Sequence, residues 1–165
     1  TQGYSSAASD VYKRQIFTVT LLFEGLKEQE CKKIEEEDQN VDLSGMRVLL
    51  AEDNELNMEI AETFLTDAGV QVTKAYNGKE EVERYLEQPA GTFDAILTDL
   101  MMPIMDGCEA ARAIRSSGRA DAESIPIIAL TANAFWEDAE RVKREGMNEH
   151  LPKPLDVGKM LSVLA

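Results

Sequence analysis

Five short apolar runs rich in β-branched residues begin near Arg47 (RVLLA), Gln71 (QVTKAY), Ala95 (AILTD), Ile125 (IPIIALT) and His150 (HLPKP), at intervals of 24 to 30 residues. This recurrence constrains the fold more than any other feature. Each interval is too long for a hairpin and long enough for one helix with its loops, so neighbouring strands run parallel. Helical spacing fills the intervals: Ile60, Phe64, Leu65 and Ala68 share one face, then Val82, Tyr85 and Leu86, then Ala110, Ala111 and Ile114. Phe135, Ala139 and Val142 follow, and finally Val157, Met160, Leu161 and Leu164. Asn77-Gly78 reads as a turn before the second helix, and Gly69 ends the first by accepting a left-handed backbone. Because crossovers are right-handed and helices must cover both apolar faces of such a sheet, the fold class is α/β, doubly wound.

The chain ahead of these runs reads differently. Residues 1–15 are small and polar with no period that could bury a face, and SAASDVYKRQ resembles a translated sequencing adapter, so 1–15 is expected to be a non-native or disordered tail. Residues 16–23, IFTVTLLF, favour a strand and are similar to the last strand of a histidine-kinase ATP-binding domain. Glu24 to Asp38 carries seven acids and three bases, and residues 24–45 as a whole are expected to form a solvated acidic linker. The folded domain is expected over 46–165.

Charge and cysteine content narrow the ligands. The formal net charge of −14 repels phosphate backbones and anionic lipid, which leaves cations as the favoured partners and no nucleic acid. Cys31, Cys108 and the single His150 cannot complete a four-ligand zinc site, and two cysteines fit a reducing cytoplasm. The longest apolar runs fall well short of the roughly 20 residues that span a bilayer. No membrane contact is expected of this fragment.

In an open α/β sheet the ligand lies beyond the carboxyl ends of the strands. Those ends carry Glu52, Asp53 and Asn54 after the first strand, Asp99 on the third, Thr131-Ala132 on the fourth and Lys153-Pro154 after the fifth. Three carboxylates in one cleft repel one another, and a divalent cation removes that cost. Oxygen-only ligation with few carboxylates favours Mg²⁺, whose remaining positions suit phosphoryl oxygens. Lys153 offers a point charge, Thr131 a hydroxyl and Ala132 an approachable N–H, which is equipment for phosphoryl transfer. Asp99 is the candidate nucleophile, since a carboxylate can form an aspartyl phosphate.

Taken together, Glu52-Asp53, the segment Asp99-Leu100-Met101-Met102-Pro103-Ile104-Met105-Asp106-Gly107, Thr131-Ala132 and Lys153-Pro154 resemble the receiver domain of two-component response regulators over about residues 46–165. The resemblance implies a flavodoxin-like strand order 2-1-3-4-5, with Asp99 as phosphoacceptor. It also implies Asp53, Asp99 and the Met101 carbonyl as Mg²⁺ ligands, with Glu52 holding the metal's waters. Lys153, Thr131 and Ala132 would bind the phosphoryl group, and a cis peptide is implied before Pro154. AEDNELN (51–57) and GMNEHL (146–151) are similar to receivers fused to hybrid histidine kinases. The partners implied are a histidine kinase domain and a histidine-phosphotransfer protein, in bacterial signalling. A domain of this kind catalyses its own phosphorylation and dephosphorylation.

Two departures from the pattern stand out. Where the family often has an aromatic residue that swings inward with the threonine, this chain has His150; Thr131, His150 and the helix carrying Trp136 are the expected switch. The helical pattern ends at Leu164, about one or two turns short of the usual final helix, so that helix reads as clipped. Met102 and Met105 read as core, and Asp106-Gly107 as a turn and helix start. A haloacid-dehalogenase-type phosphatase would need a second aspartate where Met101 stands. The alternative function is a receiver-like interaction module that takes no phosphate, whose hallmark would be loss of an acid, the threonine or the lysine; all are retained.

Overall fold

The computed structural model describes residues 43–132 and 142–165. Five parallel strands, β1 (Arg47–Ala51), β2 (Gln71–Ala75), β3 (Ala95–Asp99), β4 (Ile127–Thr131) and β5 (Glu149–Pro152), form one sheet in the order β2-β1-β3-β4-β5. Among the described residues, four helices complete it: α1 (Glu55–Asp67), α2 (Gly78–Glu87), α3 (Gly107–Arg115) and α4 (Val157–Leu164). The doubly wound α/β class and the order 2-1-3-4-5 are both as expected. The order reverses between β1 and β3, so the β1 and β3 ends flank the crevice of the sheet.

Side chains alternate along each strand and feed two cores. Leu49, Ala51, Ile96, Ile127 and Ala129 face Tyr85 of α2 and Cys108, Ala111 and Ile114 of α3. Val48, Leu50, Ala95, Leu97, Ile128 and Leu130 face Met58, Ala61 and Leu65 of α1 and Met160 and Leu164 of α4. Every residue of β3 and β4 is buried, whereas β2 and β5 at the edges are only partly covered. Leu43 packs into the second core, and the Gly45 N–H bonds to the Gly69 carbonyl at 3.2 Å, so the last residues of the 24–45 stretch join the domain.

Local signals set the helix ends. Asn54 caps α1 by accepting the N–H groups of Leu56 and Asn57, and Gly69 follows its C-terminus at φ +82°. Asn77 caps α2, and Asp106 and Glu109 form a reciprocal capping box at α3.

Three details differ from the sequence reading. β4 starts at Ile127 and not Ile125, because the Ile125 N–H is taken by the Asp121 carbonyl in the preceding turn and Pro126 has no N–H to give. β5 starts one residue early, at Glu149. α1 buries Met58, Ala61 and Leu65, leaving Ile60 40% exposed, so the helix is rotated from the expected face; α2 likewise buries Glu81 and Tyr85 and leaves Leu86 out. The pattern of 110, 111 and 114 on α3 holds in full. The helix expected through Phe135 and Ala139, with Trp136, lies outside the described residues apart from a helical turn at 142–144, as do the tail, the 16–23 segment and residues 24–42.

Candidate functional site

The site forms where β1 and β3 end. β1 registers Ala51 against Thr98, so Glu52, one residue past the strand, comes level with Asp99. The Glu52 N–H bonds to the Ala75 carbonyl at 3.1 Å, fixing the backbone of that turn. Asp53 follows, exposed, while Glu52 and Asp99 are buried. One carboxylate oxygen from each of Glu52, Asp53 and Asp99 lies within 4.8 Å of the others.

Two of these acids share a cation. Lys153 Nζ donates to Asp99 Oδ2 at 2.6 Å and to Glu52 Oε2 at 2.5 Å. Burial works to lower the Lys153 pKa, but the bonds to Asp99 and then Glu52 outweigh it and hold the ammonium above its ordinary value. The lysine reaches them from the cis Lys153-Pro154 peptide after β5, which the family resemblance implied. Its own N–H bonds to the Thr131 carbonyl at 2.7 Å, so the lysine and the buried Thr131 are fixed side by side, with Ala132 exposed just beyond.

Each acid is also oriented from its own side. Asn57 Nδ2 donates to Glu52 Oε1 at 3.0 Å, and the Met101 N–H donates to Asp99 Oδ1 at 3.0 Å. Asn57 belongs to the AEDNELN segment, yet its position on α1 gave no sign of that bond; only the cap by Asn54 brings it back over the strand end. At the start of α3, a Cβ on Gly107 would stand 2.4 Å from the Asp99 carbonyl oxygen and 3.0 Å from Thr98 Oγ1, so only glycine admits the helix this close to Asp99. His150, opposite Ala129 in the sheet, is half-buried with Nδ1 3.3 Å from Glu149 Oε1.

A residue the sequence reading passed over lies behind the site. Glu81 of α2 is fully buried and accepts a 2.8 Å bond from the Thr98 hydroxyl, while its Oε1 has no partner. Burial pushes its carboxyl up to about 8, with the Thr98 bond opposing. The only signal was its place on the same stripe as Gly78 and Tyr85.

The donor set suits a hard divalent cation. Three clustered carboxylates face a single ammonium, leaving excess negative charge, and oxygen ligands of this kind match Mg²⁺. Fold and site therefore define a doubly wound α/β domain with an acidic centre at its switch point. The family model for the response regulator receiver domain matches residues 48–165, and the chain belongs to that family.

Its relatives are mostly far longer proteins. The chain is 37% identical over 120 residues to hybrid signal transduction histidine kinase I of Dictyostelium discoideum, covering 72% of this chain and 7% of that one. It is 34% identical over 119 residues to sensor protein GacS of Pseudomonas syringae pv. syringae, covering 72% and 13%. Among solved structures it resembles the receiver domain of sensor histidine kinase PA1611 from Pseudomonas aeruginosa PAO1, whose active-site cleft coordinates magnesium. The TM-score there is 0.65 at 37% identity, covering 73% of this chain and 95% of that one. It also resembles the receiver domain of Saccharomyces cerevisiae Ssk1, co-crystallised with the histidine phosphotransfer protein Ypd1, at TM-score 0.64 and 31% identity, covering 72% and 86%. The expected bacterial source is not supported, since relatives from Dictyostelium, Schizosaccharomyces pombe and Arabidopsis thaliana stand beside the Pseudomonas proteins. No helix among the described residues is long and apolar enough to cross a membrane.

Proposed function

We propose that this domain accepts a phosphoryl group from phosphohistidine onto Asp99, as the receiver of a hybrid histidine kinase working inside the cell, and exchanges it with a histidine phosphotransfer protein of the Ypd1 kind. The observation that carries this reading is the bridging of Glu52 and Asp99 by Lys153 beside Asp53, which leaves a carboxylate nucleophile among groups arranged for an incoming anion. A bound Mg²⁺, held by Asp53, Asp99 and the Met101 carbonyl with Glu52 on its waters, would supply positive charge against the phosphoryl oxygens.

Asp99 presents a carboxylate oxygen in line with the scissile phosphorus–nitrogen bond. As the new oxygen–phosphorus bond forms, that bond breaks, and its electron pair returns to the imidazole, which takes a proton from solvent. Lys153 can then turn from the Asp99 carboxylate to a phosphoryl oxygen, and Thr131 and the Ala132 N–H can donate to the others. Thr131 and His150 are the groups we assign to the switch. The sequence of the 16–23 segment and of the acidic stretch 24–42 fits a kinase domain upstream.

The test is intact mass after incubation with Mg²⁺ and acetyl phosphate, beside an Asp99→Asn variant, with circular dichroism on both. One phosphoryl gain in the parent alone is expected. A folded parent that gains nothing would overturn the reading in favour of a phosphate-independent interaction module.

A further inference from the structure

The first turn of α2 holds the segment that carries Asp99 at two places. The Gly78 N–H bonds to the Met105 carbonyl at 3.0 Å, and a Cβ on Gly78 would stand 2.6 Å from that oxygen, so the helix start lies directly on the loop after Asp99. Three residues on, and on the same helical face, Glu81 Oε2 accepts from the Thr98 hydroxyl at 2.8 Å, one residue before Asp99. Thr98 is itself hemmed in, since its Oγ1 is one of the atoms that a Cβ on Gly107 would crowd at the start of α3. Glu81 thus meets the end of β3 where α2 and α3 both close on it.

A carboxyl is a costly group for this place. Glu81 and Thr98 are both fully buried, and Glu81 Oε1 has no hydrogen-bond partner. The core on this face of the sheet holds Leu49 and Ala51 of β1, Ala75 of β2, Ile96 of β3 and Cys108 of α3. Its titratable members are Tyr85, whose hydroxyl donates to Asp121 at 2.8 Å, and the Cys108 thiol, and neither supplies a positive charge. The charged residues of α2 pair among themselves at the surface, Lys79 with Glu83 and Arg84 with Glu80. Lys74 of β2 turns to Glu62 of α1, Arg112 of α3 to Glu145, and Lys153 is taken by Asp99 and Glu52. Among the described residues no cation is left to hold an ionised Glu81, and burial pushes its carboxyl up to about 8.

While neutral, the carboxyl can stay in the core and hold Thr98. Once its proton passes to solvent, a carboxylate with one unpartnered oxygen is drawn toward water, and the first turn of α2 is drawn with it. The same turn holds Met105, so the loss reaches both sides of Asp99. We propose that Glu81 is a positioning residue for phosphoryl transfer: its neutral carboxyl, through Thr98, keeps the end of β3 and the loop to α3 in place, and Asp99 loads only while Glu81 holds its proton. The inference rests on the phosphoacceptor reading of Asp99 and adds a control of that site by proton concentration.

The experiment follows the rate of loading from acetyl phosphate with saturating Mg²⁺, by intact mass of the full 165-residue chain, from pH 7 to pH 9, with circular dichroism at each pH. Over that range the protonated fraction of a group with its midpoint near 8 falls about tenfold, and the parent's rate should fall by the same factor. Glu81→Gln cannot titrate, so its rate at pH 9 should stay within about twofold of its own rate at pH 7. Thr98→Val removes the hydroxyl whose bond favours the ionised form, and should move the midpoint of loading to higher pH. A parent rate that is flat across the range, a fall in Glu81→Gln equal to the parent's, or a midpoint unmoved in Thr98→Val would each overturn the inference. So would a parent that loses its circular dichroism at pH 9, since the fold and not the placement of Asp99 would then be lost. A parent that loads at no pH would overturn the phosphoacceptor reading itself.

Discussion

Glu81 makes the pH dependence of this domain testable at one side chain. In the unfolded chain its carboxyl releases its proton near the ordinary value of 4.5, whereas in the folded domain burial holds it to about 8. Between those values the folded state binds a proton that the unfolded state has lost, so stability falls as pH rises. Each pH unit in that interval weakens the fold by about 1.4 kcal/mol, and the full interval by about 5 kcal/mol. Below pH 4.5 the residue makes no such demand, and above 8 the loss is complete. Against a typical total of about 5–15 kcal/mol, one carboxyl takes up a large share.

Glu81→Gln removes this titration while keeping an acceptor for the Thr98 hydroxyl. The new amide leaves an unpartnered group where Oε1 now stands, costing about 1–3 kcal/mol at every pH. The diagnostic quantity is therefore the slope. Urea unfolding of parent and variant at pH 6 and pH 8 should show the parent losing about 2 kcal/mol relative to the variant between the two, or about 1 M in midpoint. A difference between the two proteins that stays constant within about 0.5 kcal/mol across that range would refute the argument that Glu81 is held neutral.

Two further perturbations bear on the site. Lys153→Met leaves the buried Glu52 and Asp99 without their shared cation, which should cost about 3 kcal/mol in metal-free buffer; millimolar Mg²⁺ should raise the Tm of the variant more than that of the parent, as thermal melts would show. Gly107→Ala would drive a methyl group into the Asp99 carbonyl, so despite a helix-propensity gain of about 1 kcal/mol it should destabilise the domain and slow loading from acetyl phosphate; a variant with parental midpoint and loading rate would count against the close-approach account.

Much of this domain was legible in the amino-acid sequence alone. The strand runs and their intervals are local patterns, and a right-handed crossover leaves few ways to join them, so the parallel sheet followed from the sequence. The polar residues at the strand ends followed too, because alternation along a strand and the rule for crevices in α/β sheets place them without tertiary detail. The weaker predictions concerned orientation. Ile60 and Ala61 are both apolar and one position apart on α1, and a helical period cannot say which of the two stripes the sheet will take. That was settled by how α1 docks on Val48, Leu50 and Leu97.

The sequence by itself determined the class of fold, the strand order by way of family likeness, and the set of groups from Glu52 to Lys153 that could meet at one end of the sheet. Only the tertiary structure decided which of them touch. Lys153 reaches Glu52 across 101 residues of chain, and Thr98 reaches Glu81 across 17, distances over which no local period carries information. The backbone at Ile104, with φ +71° and the Met105 N–H bonded to the Pro103 carbonyl across it, belongs to the same group. Nothing in a β-branched residue asks for a left-handed backbone, and it adopts one because β3, α3 and the Gly78 bond fix the loop on both sides.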